Sequence, residues 1–344
     1  MRILLIGGNG FIGSPLVREL LASGHQLAVV HRRRESAFPN TNVVQIRGDR
    51  NHLPEYTKQI QEFSPDVIVD LILSSGKQAH QLMTHAPTLA PRVVAISSMD
   101  VYRAWGVLRE LEPGSIEPLP ITESSPLRSV RRLYAAKALK MMQGVFSWLD
   151  DDYDKIAVEE SIRHDSRVRG TILRLPMVYG PGDPLHRFFP LLKRIADGRS
   201  AILLADDFAA WRAPRGYVDN VAHAIALAAT SEQAAGRVYN ICEEPSWPDL
   251  AWQKKIAAQA NWPGQFVVLP RSRTPKHLLP PGNTAQHMVV SSQCIRAELG
   301  YEEPVAIDEG IRRTIAWEKE NPPRTINLAE FDYDAEDAAL AHNS

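Results

Sequence analysis

The residue pattern richest in chemistry stands near the N-terminus, where Gly7-Gly8-Asn9-Gly10-Phe11-Ile12-Gly13 follows the apolar run Ile3-Leu4-Leu5-Ile6. An apolar run of that length reads as a buried strand. Leu16, Val17, Leu20 and Leu21 then give the i, i+1, i+4, i+5 spacing of one helix face, closed at Gly24. A glycine loop at a strand-to-helix turn lets backbone N–H groups approach a pyrophosphate, while the helix N-terminus offsets its negative charge. The competing reading is a tight turn without ligand. A second group of reactive side chains surrounds Lys155, with Tyr153 and the acids Asp150, Asp151, Asp152 and Asp154 just before it. Such acids can carry protons, or can simply sit where a helix dipole stabilises negative charge. The histidines are scattered with no HExxH-like pair, and Cys242 and Cys294 stand far apart, so neither a metal site nor a disulfide framework is indicated.

These residues need a scaffold, and the 344-residue chain, 44% hydrophobic and 23% charged, can bury one large core or two unequal ones. Its net charge of −1 provides no bulk field for nucleic acid or anionic membrane, so such binding would need a local patch. No apolar stretch approaches the roughly 20 residues that span a bilayer, and the N-terminal run lacks a signal-peptide cleavage site, which places the protein in the cytoplasm. Further strands are predicted at 27–30, 43–46, 67–71, 93–96, 170–175 and 237–241. Near-continuous apolar strands of this kind belong to a parallel sheet covered on both faces. The stretch 103–150 is proline-rich and charged, then helix-like from Arg131 through Trp148, and reads as an insertion over the site.

The glycine spacing resembles the GxxGxxG loop of extended short-chain dehydrogenases, and the resemblance continues down the chain. Ser97-Ser98-Met99-Asp100-Val101-Tyr102 is similar to that family's SSxxVY strand end, and Leu173-Arg174-Leu175-Pro176-Met177-Val178-Tyr179-Gly180-Pro181-Gly182 to its LRPxxVYGPG segment. Arg215-Gly216-Tyr217-Val218-Asp219 and Gly236-Arg237-Val238-Tyr239-Asn240 follow in the family's order. The resemblance implies the NAD-dependent epimerase/dehydratase type: an α/β Rossmann fold, a doubly wound parallel sheet with a smaller C-terminal substrate-binding lobe. The Rossmann part is expected over 1–175 and 215–245, the lobe over 176–214 and 246–322, and a loosely held acidic tail over 323–344.

The same resemblance implies cofactor contacts at Gly7, Gly10, Phe11, Ile12, Gly13, Asp49, Leu71, Lys155 and Pro176. Where a carboxylate would hold the ribose 2′-hydroxyl, the chain has His31-Arg32-Arg33-Arg34. A guanidinium can grip a 2′-phosphate with two hydrogen bonds, so NADP is preferred to NAD through Arg32. Arg33 and Arg34 read equally as solvated basic residues; His31 can touch the adenosine ribose, but reads more readily as a surface histidine. For catalysis the family implies Ser98, a tyrosine and Lys155. The YxxxK tyrosine belongs at position 151, where this chain has Asp151. Tyr153 is the nearest replacement, usable only if the helix starts later or bends, because i−2 points about 200° from i. Asp151, Tyr134, or no tyrosine-type catalysis are the alternatives.

Arg215 stands where nucleotide-sugar epimerases of the family carry an arginine toward the diphosphate, yet no RxGD-like segment follows. The expected function is an NAD(P)-dependent epimerase, dehydratase or reductase acting on a hydroxyl or carbonyl carbon of a small molecule, including a sugar or nucleotide sugar. The rival is a non-catalytic dinucleotide-sensing or RNA-associated member, using basic patches at 128–132 and 32–34. Homodimerisation beside the site is a further expectation of the resemblance.

Overall fold

The computed structural model describes residues 1–32 and 38–342; Arg33 and Arg34 lie outside the described residues. In chain order the first half comprises β1 (Arg2–Ile6), α1 (Gly13–Ala22), β2 (Gln26–His31), β3 (Val44–Arg47), α2 (Thr57–Phe63), β4 (Val67–Asp70), α3 (Gly76–His85) and β5 (Arg92–Ser98). The irregular stretch holds α4 (Arg103–Leu108) and α5 (Ala136–Val145), and α6 (Lys155–His164) and β6 (Arg169–Leu175) return to the sheet. Then come β7 (Met177–Tyr179), α7 (Phe189–Ala196), β8 (Ala201–Ala205), α8 (Asp206–Ala210), β9 (Arg215–Tyr217), α9 (Val218–Thr230) and β10 (Val238–Asn240). The C-terminal part carries α10 (Asp249–Gln259), β11 (Gln265–Leu269), α11 (Gln293–Leu299), α12 (Ile307–Glu320) and α13 (Tyr333–Ala341).

Seven parallel strands form the central sheet in the order β10-β6-β5-β4-β1-β2-β3. The apolar runs force this arrangement: Ile3, Leu4 and Leu5 are all fully buried, which requires cover on both faces. One face packs under α1 and α9 through Leu5, Leu16, Val29 and Ala222, and the other under α3 and α6 through Leu4, Ile68, Leu82 and Val158. Because β1 pairs with β2 on one side and β4 on the other, the chain reverses direction across the sheet at β1. In open α/β sheets a crevice opens beyond the strand ends at such a switch point.

The lobe is built on two short parallel pairs, β7 with β9 and β8 with β11. Sequence periodicity did not reveal these strands. The tail, expected to be loose, is instead ordered through residue 342 and ends in α13. Glu336 is fully buried there, with Arg194 at 2.7 Å and His277 at 3.0 Å, and Asp337 pairs with Arg199. Cations meet this acidic segment: Arg194, itself buried, pairs with Glu336, and Arg199 with Asp337. Among the described residues no helix is long and apolar enough to cross a membrane.

Candidate functional site

The glycine loop leaves β1 at the switch point and enters α1 at Gly13. Gly7 has φ +91°, a region open to glycine, and Gly10 N donates to Gly7 O at 3.1 Å, curling the loop. A Cβ on Gly13 would lie 2.4 Å from Gly7 O and 2.6 Å from Gly8 O, so the turn has no room for a side chain. The loop forms one wall of a cleft of about 470 Å³, shared with His31, Arg32, Asp49, Leu71 and Trp148. Both amide atoms of Asn9 and both ring nitrogens of His31 are buried there without a protein partner. Buried polar groups are otherwise nearly always satisfied, so these point to a polar ligand. The residues therefore fit a dinucleotide: a backbone cradle for pyrophosphate, and unsatisfied side-chain atoms along the cleft. His31, read as a surface histidine from sequence, is only 9% exposed and lines this cleft.

Arg32 lies at the end of β2, its guanidinium donating to Ser147 Oγ at 2.7 Å and standing 3.8 Å from Asp49 Oδ2. Half its side chain is exposed, so it can turn to a ligand phosphate at modest cost. Phe146, Ser147 and Trp148, which follow α5, form the opposite wall. Residues 145–148 of the irregular stretch thus line this cleft, and its helix covers Ala136–Val145 rather than 131–148. Pro176 follows Leu175, which is in register with Ser98 across β5 and β6.

The reactive side chains meet at the inner ends of β4 and β5. Asp154 caps α6, accepting from Ile156 N at 3.0 Å and Ala157 N at 3.2 Å, so the helix begins only at Lys155. Tyr153 therefore precedes the helix, and the i−4 rule does not govern where it points. Its hydroxyl donates to Asp100 Oδ2 at 2.6 Å, and its ring packs on Tyr134 with centroids 5.4 Å apart. Burial raises the Tyr153 pKa well above that of a free phenol, and the nearby Asp100 carboxylate adds to this. Burial likewise raises Asp100, against the hydrogen bond from Tyr153 and the charge of Arg128. Asp100 Oδ1 has no partner, and Ser98 Oγ accepts from Asp100 N at 3.2 Å. Tyr153 lines a pocket of about 510 Å³ with Tyr134, Leu139 and Gln143, none of which lines the glycine-loop cleft. Asp151 binds Gln143 Nε2 at 2.8 Å on the exposed side.

Lys155 donates to Ile96 O at 2.9 Å and to Leu73 O, with Trp148's ring centroid 5.7 Å away. Ser98, Tyr153 and Lys155 are thus drawn to one region, but Tyr153 is bonded to Asp100 and Lys155 to carbonyls. Burial pulls the Lys155 pKa down to about 8, against the pull of the Asp100 and Asp70 carboxylates. Since the folded value lies below the unfolded one, the unfolded chain holds more protons between those two values, and this side chain's contribution to stability rises with pH there. Urea unfolding at pH 7.5 and 9.5 should show wild type gaining about 2 kcal/mol relative to Lys155→Met across that interval. A difference independent of pH would contradict the depressed value.

A polar network lies beneath this site. Glu159 takes Arg174 at 2.7 Å and Ser97 Oγ at 2.6 Å, Arg174 donates to Tyr102 Oη at 2.9 Å, and Tyr102 donates to Asn240 Oδ1 at 2.6 Å. It ties the ends of β5, β6 and β10 to α6. In the lobe, Arg215 is buried and pairs with Asp249 at 2.7 Å, its guanidinium stacked 4.9 Å from the Trp252 ring. Trp211 and Trp252 are buried, and both line a cavity of about 480 Å³ beside β7. The basic patch at 128–132 is largely neutralised: Arg128 is buried, and Arg131 pairs with Asp154 and Glu160.

Sequence reasoning missed Asp100, Asn9 and Trp148. Asp100 stood inside the SSMDVY segment, but nothing local signals a partner 53 residues away. Among the described residues no group of three or more His, Cys, Asp or Glu side chains is placed to hold a metal ion.

Sheet order, glycine cradle and cleft define a Rossmann-type dinucleotide-binding protein. The sequence profile of the NAD dependent epimerase/dehydratase family matches residues 3–102 and 151–242, and the chain belongs to that family. It is 26% identical over 255 residues to a 2′-dehydrokanamycin reductase of Streptomyces kanamyceticus, covering 72% of this chain and 63% of that protein. This chain therefore spans less than two thirds of that relative. Solved structures with the same fold include a short-chain dehydrogenase/reductase superfamily protein from Agrobacterium tumefaciens with bound NAD, at TM-score 0.67 and 19% identity, over 93% of this chain and 98% of that one. Another is UDP-glucose 4-epimerase of Thermotoga maritima with UDP-glucose, at TM-score 0.66 and 17% identity, over 93% and 99%.

Proposed function

We propose that this chain is an NADP-preferring oxidoreductase acting on a hydroxyl or carbonyl carbon of a sugar or sugar-like substrate. The observation that carries the reading is the side-chain-free cradle at Gly7–Gly13, opening into a cleft lined by unsatisfied His31 and Asn9 atoms and ending at Arg32. The reductase and epimerase named above support the substrate class. Gly7, Gly10, Phe11, Ile12 and Gly13 would hold the pyrophosphate, Arg32 a 2′-phosphate, and Asp49, Leu71, Lys155 and Pro176 the remainder. The bound cofactor supplies or accepts the hydride.

Ser98 would steady the substrate oxygen, and Tyr153 would exchange a proton with it. Asp100 is the counterpart that makes this workable without a free phenolate: it accepts from the Tyr153 hydroxyl at 2.6 Å, so it can receive that proton as Tyr153 takes one from a substrate hydroxyl, and return it in the reverse direction. Lys155 holds the floor of the site through Leu73 and Ile96. One observation favours a second reading, of a dinucleotide sensor without turnover: Tyr153 is bonded to Asp100 and lines the pocket with Tyr134 rather than the glycine-loop cleft.

Calorimetry of NADPH and NADH on wild type and Arg32→Ala tests the cofactor preference. Wild type should favour NADPH, and the variant should lose about tenfold, or ~1.4 kcal/mol, on NADPH alone. Equal losses for both cofactors would remove Arg32 as the discriminator.

A further inference from the structure

The lobe cavity beside β7 begins one residue beyond Pro176, with Met177 and Tyr179 in its wall, and its charge pattern restricts what it can take. Three arginines line it, and each is already engaged by a carboxylate. Arg215 holds Asp249 at 2.7 Å, Arg194 holds Glu336 at 2.7 Å, and Arg187 holds Asp183 at 2.6 Å. All three carboxylates are buried. Arg194 also donates to Glu330 O at 2.7 Å and Pro190 O at 3.0 Å, and Arg215 to Ala213 O and Trp247 O at 3.3 Å, so their remaining donors are partly committed too. Of the acids only Asp249 and Glu330 stand in the lining itself, and the lining histidine, His277, faces Glu336 at 3.0 Å.

A diphosphate carries negative charge that must be met by free donors, ordinarily Arg or Lys. To receive one here, either buried guanidinium, Arg194 or Arg215, would have to abandon its carboxylate and leave that acid buried and unpaired. Asp249 makes this worse, since burial already raises its pKa and its other oxygen is committed to Gln253 Nε2 at 2.6 Å. The rest of the wall is apolar and aromatic: Phe188, Phe208, Trp211 and Trp252 surround about 480 Å³. That volume lies in the range of small-molecule sites, and flat aromatic faces suit the C–H faces of rings.

We propose that this cavity takes a non-phosphorylated glycoside, neutral or bearing amines, and excludes nucleoside-diphosphate sugars. The inference rests on the reading of the chain as a sugar-directed oxidoreductase and narrows its substrate class. With both buried guanidinium groups paired, the cavity has no free buried cation for a diphosphate, while Asp249 and Glu330 in its wall can meet an ammonium. Glu336 is central, because the docked C-terminal helix itself supplies the anion that fills the Arg194 seat.

The test is calorimetric titration of wild type, with and without saturating NADPH, with three probes: UDP-glucose, p-nitrophenyl β-glucoside and kanamycin. The expected result is that one of the two phosphate-free probes binds at least about tenfold more tightly than UDP-glucose. Asp249→Asn, which leaves Arg215 charged and without its counter-ion, is expected to raise UDP-glucose affinity about tenfold while leaving NADPH affinity unchanged. The proposal is overturned if UDP-glucose is the tightest of the three, if it comes within tenfold of the tightest, or if a sample with normal NADPH binding responds to none. Failure of NADPH binding itself would count against the oxidoreductase reading, and the ranking of the three probes would still be read from the titrations without cofactor.

Discussion

Gly13→Ala is expected to abolish saturable NAD(P)H binding. The added methyl would stand 2.4 Å from Gly7 O, 2.6 Å from Gly8 C and 2.6 Å from Gly8 O, all backbone atoms that cannot rotate aside. Carbon and oxygen do not approach so closely, so the loop must open and its N–H groups turn from the pyrophosphate position. A loss of about 3 kcal/mol, above a hundredfold in affinity, follows from disrupting several such contacts at once. Gly144→Ala is the control. It lies in α5 with no atom within 4 Å of the new methyl, and alanine favours a helix over glycine by roughly 1 kcal/mol. Calorimetric titration with NADPH and thermal unfolding should therefore separate the two variants: Gly13→Ala loses binding, and Gly144→Ala keeps it. Retention of wild-type affinity by Gly13→Ala would show that the cradle is not where the cofactor lies.

The second large effect belongs to Arg174. Its guanidinium is 1% exposed and donates twice to Glu159, at 2.9 and 2.7 Å; Arg163, half exposed, stands 3.7 Å from the same carboxylate. Arg174→Met would leave a carboxylate that is 2% exposed without its buried partner, and would also deprive Tyr102 Oη of a donor. Removing one member of a buried pair costs about 3–5 kcal/mol, whereas replacing both with apolar groups is often near neutral. Urea unfolding should show that loss for Arg174→Met, with much of it recovered in the double variant Arg174→Met/Glu159→Leu. A single variant within ~1 kcal/mol of wild type would mean water already solvates Glu159.

The part of this molecule legible in sequence was the part fixed by local pattern. Apolar runs such as Ile3–Ile6 and Val67–Val69 can be buried on two faces only in a covered parallel sheet, so each predicted strand appears in the sheet with ends shifted by a residue or so. The glycine spacing was legible because close backbone approach excludes other residues. What escaped depended on contacts distant in the chain. The start of α6 could not be read from the acids at 150, 151, 152 and 154, since any of them can cap; Asp154 does so, and this frees Tyr153 from helical geometry. Asp100 stands at an unspecified position of the SSxxVY pattern, and its part in the site comes from Tyr153 bonding to it across 53 residues. The tail looked loose because its acids lacked local partners, and Arg194 lies 142 residues before Glu336. The lobe strands were hidden because β7 and β9 are only three residues long, too short to show a period.

The most direct test of the central claim, that this fold holds a nicotinamide dinucleotide in the cradle at Gly7–Gly13, is calorimetric titration of the wild-type chain with NADPH and NADH, alongside Gly13→Ala. The account predicts saturable one-to-one binding that favours NADPH and disappears in the variant. Absence of binding by both cofactors to a folded wild-type chain would contradict it.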